Sequence, residues 1–271
     1  MPKNKIGFMQ GRLSRLTAKR IQSFPSRSWK SEFALGKKIG MDAIEWTIDY
    51  HNIYSNPLIN NSIHKKYFKT LNISSVTCDF FMQRPFWKYN NYLKMKDIFV
   101  RLISSCGQNN INFIIVPLVD NSSIKENKIK NLVKVFFKNF EISLINNNVS
   151  ILFESDFKPM ELKKFIKSFS SKKFGINYDT GNSASLGLLP KEEIMTYRKL
   201  IKNVHIKDRM YKSNTVMLGD GDANLKEIIN LLRKIKYDGL YILQTYRSSN
   251  NSLRDLKTNL EYFKQIIDEK Y

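Results

Sequence analysis

Short β-rich runs alternate with longer apolar-periodic segments along the whole chain, and this rhythm restricts the fold more than any other feature. The runs are Lys5 to Gln10, Ala43 to Ile48, Ser75 to Phe81, Phe113 to Asp120, Ser150 to Glu154, Phe174 to Asp179, Asn203 to Lys207 and Tyr241 to Thr245. Between them, apolar residues recur at helical spacing. Ser28, Trp29, Phe33, Leu35 and Ile39 run up to Gly40, further segments cover Lys125 to Asn148 and Met160 to Lys173, and Asn224 to Lys236 precedes the Asp238-Gly239 turn. Alternating strands and helices make βα units with a parallel sheet. About eight such units close a barrel, typically in about 250 residues. The 271 residues are therefore expected to form an α/β chain folded as a single (β/α)8 TIM barrel, with one domain over 1–271. A doubly wound open sheet is the alternative, but no Gly-x-Gly-x-x-Gly follows the first strand.

Composition narrows the partners. A net charge of +21 can announce nucleic acid or an anionic membrane. Here the lysines sit singly or in pairs between apolar residues at helical spacing, which is the solvated face of amphipathic helices. The expectation is no specific nucleic-acid binding, with a positive field that would suit a phosphorylated or carboxylated substrate. The apolar run Phe113 to Val119 is interrupted by Pro117 and falls far short of the roughly 20 residues that span a bilayer. The first residues lack the apolar stretch of a signal peptide. Cys78 and Cys106 form no Cys-x-x-Cys pair and no disulfide framework, and they read as buried packing residues. A soluble, cytoplasmic protein without a membrane partner follows as the expectation.

In such a barrel the functional groups stand at the C-terminal ends of the strands. Those positions carry Gln10 and Arg12, Glu45, Cys78 and Asp79, Asp120, Glu154 and Asp156, Asp179 and Asn182, His205 with Lys207 to Arg209, then Gln244 and Arg247. Four consecutive strands, ending in Glu154, Asp179, His205 and Gln244, each present one oxygen or nitrogen ligand after buried apolar residues. Two carboxylates, an imidazole and an amide oxygen suit a divalent cation such as Mn2+, Mg2+ or Co2+, with Zn2+ as a further option. Tetrahedral structural zinc is disfavoured because neither cysteine joins the set.

These residues resemble the xylose isomerase-like barrels of sugar phosphate isomerases and epimerases. The resemblance runs from Ile6-Gly-Phe-Met-Gln-Gly-Arg-Leu13 through Tyr178-Asp-Thr-Gly-Asn182 and Val204-His-Ile-Lys-Asp-Arg209 to Leu218-Gly-Asp-Gly221 and Ile242-Leu-Gln-Thr245. It implies a metal held by Glu154, Asp179, His205 and Gln244, where the family has Glu, Asp, His and Glu. The Met-Gln-Gly-Arg start further implies a surface-polysaccharide sugar pathway. Two departures stand out: the family's Asp-x-Gly-His ends in Asn182, and the final Glu is Gln244, which offers an amide oxygen but takes no proton. Where family epimerases use two glutamates on opposite faces of an enediolate, only Glu154 remains.

The remaining candidates divide between chemistry and structure. Glu154 is expected to move the substrate proton, and Lys207 to stabilise charge or donate a proton. Alternatively Lys207 and Asp208 merely close the strand as a surface ion pair. Gln10, Arg12, Asn182, Arg209 and Arg247 are the candidate substrate contacts, the arginines having the fork that suits phosphate or carboxylate. Phe80, Phe81, Phe86 and Trp87 make an apolar substrate wall, a subunit contact in a homo-oligomer, or core. His51 and His64 read as loop or helix-surface residues. The leading expectation is a metal-dependent isomerase or epimerase acting on a small sugar or sugar phosphate. Competing with it are a catalytically altered barrel, either a dehydratase or a sugar-binding protein, and a DNA-repair endonuclease acting at abasic sites. The last needs a histidine-rich zinc cluster, and the chain has 3 histidines in all.

Overall fold

The computed structural model describes residues 5–15, 22–169 and 171–269. Eight parallel strands close on themselves in chain order: β1 (Ile6–Met9), β2 (Ala43–Ile48), β3 (Asn72–Cys78), β4 (Phe113–Leu118), β5 (Ser150–Ser155), β6 (Phe174–Asp179), β7 (Ile201–Ile206) and β8 (Tyr241–Leu243). The seam is β8 against β1, with Ile6, Gly7 and Phe8 opposite Tyr241, Ile242 and Leu243. Helices follow every strand, from Trp29–Lys38 after β1 to Ser252–Asp268 after β8. The expected (β/α)8 TIM barrel is the observed fold. No helix of the described residues is long and apolar enough to cross a membrane.

Alternation along each strand separates two layers. One set, including Phe8, Ile44, Trp46, Val76, Ile114, Val116, Ile151, Phe153 and Val204, belongs to the buried apolar core. Phe81, Phe99, Phe136 and Phe137 continue that core, with Phe81 at 5.6 Å from Phe99 and 5.5 Å from Phe137 between ring centroids. The other set faces the lumen and is polar near the C-terminal ends: Glu45, Thr47, Ser75, Thr77, Glu154, Asn177, Asp179, Asn203 and His205 are all buried. β2 and β7 are not neighbours in the barrel, so a contact between Glu45 and His205 must cross the lumen.

Three elements depart from the sequence expectation. β3 stops at Cys78, and Asp79–Gln83 turns into a short helix whose Phe80 and Phe81 enter the core. A short apolar run does not by itself distinguish strand from helix, and here packing under the neighbouring helices decides. Phe86 is likewise core, stacked on Phe136 at 4.4 Å, so these aromatics pack rather than line the mouth. The segment Lys125 to Asn148 is two helices, Asn127–Lys138 and Glu141–Asn146, broken where Phe140 turns inward beside Phe99 at 5.0 Å. The helix expected to run from Met160 to Lys173 ends at Lys167.

Candidate metal centre

Glu154, Asp179 and His205 close β5, β6 and β7, and one ligand atom from each lies within 4.8 Å of the others. They are the metal-compatible group of three among the described residues. His205 Nδ1 is 3.2 Å from Glu154 Oε2 and 3.7 Å from Asp179 Oδ2. Each carboxylate is aimed by amides. Glu154 Oε1 accepts from Asn182 Nδ2 at 2.6 Å and Oε2 from Asn177 Nδ2 at 2.8 Å. Asp179 caps helix Thr180–Leu186, accepting the Asn182 backbone N–H through Oδ1 at 2.7 Å. Its Oδ2 is buried without a hydrogen-bond partner. A buried carboxylate oxygen without a hydrogen bond is costly; the cationic groups beside this one, Lys207 Nζ and His205 Nδ1, stand at 3.7 Å, so it fits a ligand from outside the chain. Burial works against ionisation of Asp179, but Lys207 first, then His205 and the Asn182 N–H, outweigh it and hold the carboxyl down to about 2. Burial also disfavours a charged His205 ring, yet Glu45 first and then Asp179 and Glu154 push it well above its usual range.

Lys207 Nζ stands 3.7 Å from Asp179 Oδ2 and 3.4 Å from Asn182 Oδ1. Its stem passes Gly181, where a Cβ would sit 2.6 Å from Lys207 Cγ, so glycine there permits the approach. Arg209 Nη1 donates to the same Asn182 Oδ1 at 3.0 Å, while Nε and Nη2 hold the Ser213 carbonyl. Asn182, standing where the resemblance has histidine, thus joins the candidate base, a candidate ligand and two cations. Asp208 is no surface partner of Lys207. Its carboxylate is buried and accepts the N–H groups of Gly219, Gly221 and Ala223 at 2.9, 3.1 and 3.0 Å, pinning the Leu218-Gly-Asp-Gly221 loop.

Gln244 lies just past β8, its N–H continuing the ladder to the Ile206 carbonyl at 3.0 Å. Its Nε2 donates to Gln22 Oε1 at 3.0 Å, and Gln22 Nε2 donates to Asp79 Oδ1 at 3.0 Å. Both Gln244 Oε1 and Asp79 Oδ2 remain buried and unpartnered. Burial, reinforced by Glu154 and Asp49, pushes the Asp79 carboxyl up to about 7 against the opposing effects of Gln22 and Arg12.

Gln10, Arg12 and Arg247 are buried, and each holds backbone of the chain itself. Gln10 Oε1 accepts the Thr47 N–H at 3.0 Å. Arg12 Nε donates to the Thr245 carbonyl at 2.8 Å, and Arg247 Nη1 donates to the Gly11 and Ser14 carbonyls. Glu32 receives the N–H groups of Gly11 and Leu13 from the same turn, in which Gly11 has φ +92°. The two arginines thus tie the first βα loop to the last, and burial, with Arg247 alongside, lowers Arg12 to about 9. His51 and His64 are exposed, and Cys78 and Cys106 are free thiols in the core.

The sequence places Glu45 among the strand ends without a specific role, and does not single out Asn177, Asn203 or Gln22. The first three carry a legible signal, since each is polar within an apolar strand and two of them stand two residues before a candidate ligand, on the same face. Gln22 carries none, because a loop residue's reach is set only by the closed barrel.

A family model described as xylose isomerase-like TIM barrel matches residues 33–266. An uncharacterized protein of Methanocaldococcus jannaschii is 29% identical over 119 residues, 41% of this chain and 39% of its own length. Thus the chain spans well under half of that relative. Among solved structures, a xylose isomerase domain protein from Planctomyces limnophilus covers 98% of both chains at TM-score 0.75 and 13% identity. A xylose isomerase-like TIM barrel protein from Mycobacterium smegmatis, in complex with magnesium, covers 97% of this chain and 96% of its own at 0.71 and 18%. The 3-keto-D-glucoside 4-epimerase of E. coli covers 97% and 100% at 0.70 and 16%. At these identities the likeness is one of fold.

Proposed function

Because this chain belongs to the xylose isomerase-like TIM barrel family, we propose that it is a divalent-metal-dependent isomerase or epimerase acting on a sugar or sugar phosphate in the cytoplasm. The observation that carries the reading is the buried Glu154, Asp179 and His205 group, with Asp179 Oδ2, which has no hydrogen-bond partner, among its atoms. Gln244 Oε1, also unpaired, is the fourth donor. When bound, a cation such as Mn2+, Mg2+, Co2+ or Zn2+ supplies a Lewis acid that polarises a sugar carbonyl and its neighbouring hydroxyl.

The chain's own groups then have separate tasks. Glu154, steadied at both oxygens by Asn182 and Asn177, moves a proton to or from the carbon beside the carbonyl. Lys207 and Arg209, gathered on Asn182, offset negative charge on substrate oxygen and meet a phosphate if one is present. Aldose–ketose interconversion needs one such base, while epimerisation needs a proton returned from the other face, and both remain within this reading. Solved epimerases of the same fold support it.

The test is deuterium incorporation from D2O into a panel of ketoses, aldoses and their phosphates, including surface-polysaccharide sugars, with Mn2+ present. Exchange beside the carbonyl, abolished in Glu154→Gln, is the expected result. Metal-loaded protein that exchanges none of the panel, yet binds a sugar, would instead support a barrel that has lost catalysis, the reading favoured by Gln244 in place of a carboxylate.

A further inference from the structure

Glu45, on β2, has no solvent exposure and a complete set of donors. Its Oε1 accepts from Thr77 Oγ1 at 2.6 Å and lies 2.7 Å from His205 Nε2, and its Oε2 accepts from Ser75 Oγ at 2.6 Å and Asn203 Nδ2 at 3.1 Å. An ionised carboxylate only accepts, so the 2.7 Å contact requires the proton on Nε2. A second chain of contacts reaches the same ring from the other edge. Asn203 Nδ2 also donates to Asn177 Oδ1 at 2.9 Å, which fixes the Asn177 amide with Nδ2 toward His205 Nδ1 at 3.0 Å. With Asn177 Nδ2 turned to it and Glu154 Oε2 and Asp179 Oδ2 at 3.2 and 3.7 Å, Nδ1 is the ring nitrogen that faces the candidate ligands.

We propose that Glu45 is a positioning residue that holds His205 as the Nε2–H form, so that Nδ1, between Glu154 and Asp179, is the nitrogen that takes the metal. The inference rests on the metal-dependent reading above and extends it to a residue 160 positions away in sequence. Both routes to the imidazole begin at the same carboxylate, one directly and one through Asn203 and Asn177. Replacing Glu45 by glutamine therefore cannot leave the ring undisturbed. If the new amide N–H2 faces His205, Nε2 must become the acceptor and the proton moves to Nδ1. If it faces Asn203 instead, donor meets donor and the Asn203–Asn177 orientation is lost.

The test is calorimetric titration of the full chain with Mn2+ alone, comparing wild type and E45Q, alongside imidazole 1H–15N spectra of wild type loaded with diamagnetic Mg2+ or Zn2+. The expected loss of Mn2+ affinity in E45Q is about 10- to 100-fold, as for other outer partners of metal-bound histidines. Only 3 histidines contribute to the spectra, and His205 is expected with its proton on Nε2 and the metal-induced shift on Nδ1. Equal affinity in folded E45Q, or a proton on Nδ1 in loaded wild type, overturns the inference while leaving the metal site standing. The wild-type spectrum decides the matter even if E45Q does not fold. Wild type that takes up no Mn2+ overturns the metal reading, and this inference with it.

Discussion

Asp79→Asn in protein stripped of metal should stabilise the fold at neutral to alkaline pH and leave it unchanged in acid. Asp79 is 2% exposed, and burial raises its carboxyl from the ordinary 3.8 to about 7. The folded chain therefore keeps a proton there that the unfolded chain has released between those values. Stability changes with pH in proportion to protons bound unfolded minus folded, so this group makes stability fall as pH rises from about 4 to about 7. At roughly 1.4 kcal/mol for each step of one in pH across that window, the destabilisation reaches about 4 kcal/mol above pH 7. Asparagine keeps an oxygen for Gln22 Nε2 and removes the charge. At roughly 2–4 °C per kcal/mol for a chain of this size, Tm at pH 8 should rise by about 10 °C, against little change at pH 4. Thermal melts of both proteins at the two pH values, with chelator present, make the measurement. An equal change at both pH values would refute the reasoning.

Three further outcomes are expected. Asp208→Ala removes the acceptor of three loop N–H groups, costing about 3 kcal/mol and lowering Tm by roughly 6–12 °C; an unchanged melt would contradict the pinning of that loop. Mn2+ affinity should strengthen as pH rises above the ordinary histidine range, because Glu45, Asp179 and Glu154 push His205 upward and a cation must displace a ring proton; a flat calorimetric profile would contradict it. Gln244→Glu takes the formal charge of the cation and its four ligands from about zero to about minus one, so it should retain or tighten Mn2+ while slowing turnover of whichever sugar wild type converts, and faster turnover would count against the assigned electrostatics.

The barrel and its strand ends were readable because both depend on period. Alternation of short β runs with helical segments predicts parallel βα units, and the rule that chemistry gathers at strand ends picks out Glu154, Asp179 and His205 without coordinates. What period does not carry is the partner of each side chain. Arg12 and Arg247 have the chemistry of anion binders, and only the closed seam reveals that Arg12 Nε and Arg247 Nη1 donate to backbone carbonyls. Asp208 next to Lys207 suggests an ion pair, whereas three loop N–H groups converging on it are set by a turn more than ten residues on. Glu45 is the sharpest case, because a β2 residue acquires its meaning from a β7 histidine across the lumen.

That long reach has a consequence for the order in which the protein comes into being. Glu45 and His205 are separated by 160 residues, and Arg12 meets Thr245 across 233. Contacts of such span are the slowest to form, since loop-closure entropy is lost before they return anything. A partly made barrel would have its ligand atoms distributed over unclosed strands, with the histidine's outer edge unheld. On the metal-dependent reading proposed above, acquisition of the ion would be coupled to closure of the barrel, and uptake followed during refolding would time the moment when β8 meets β1.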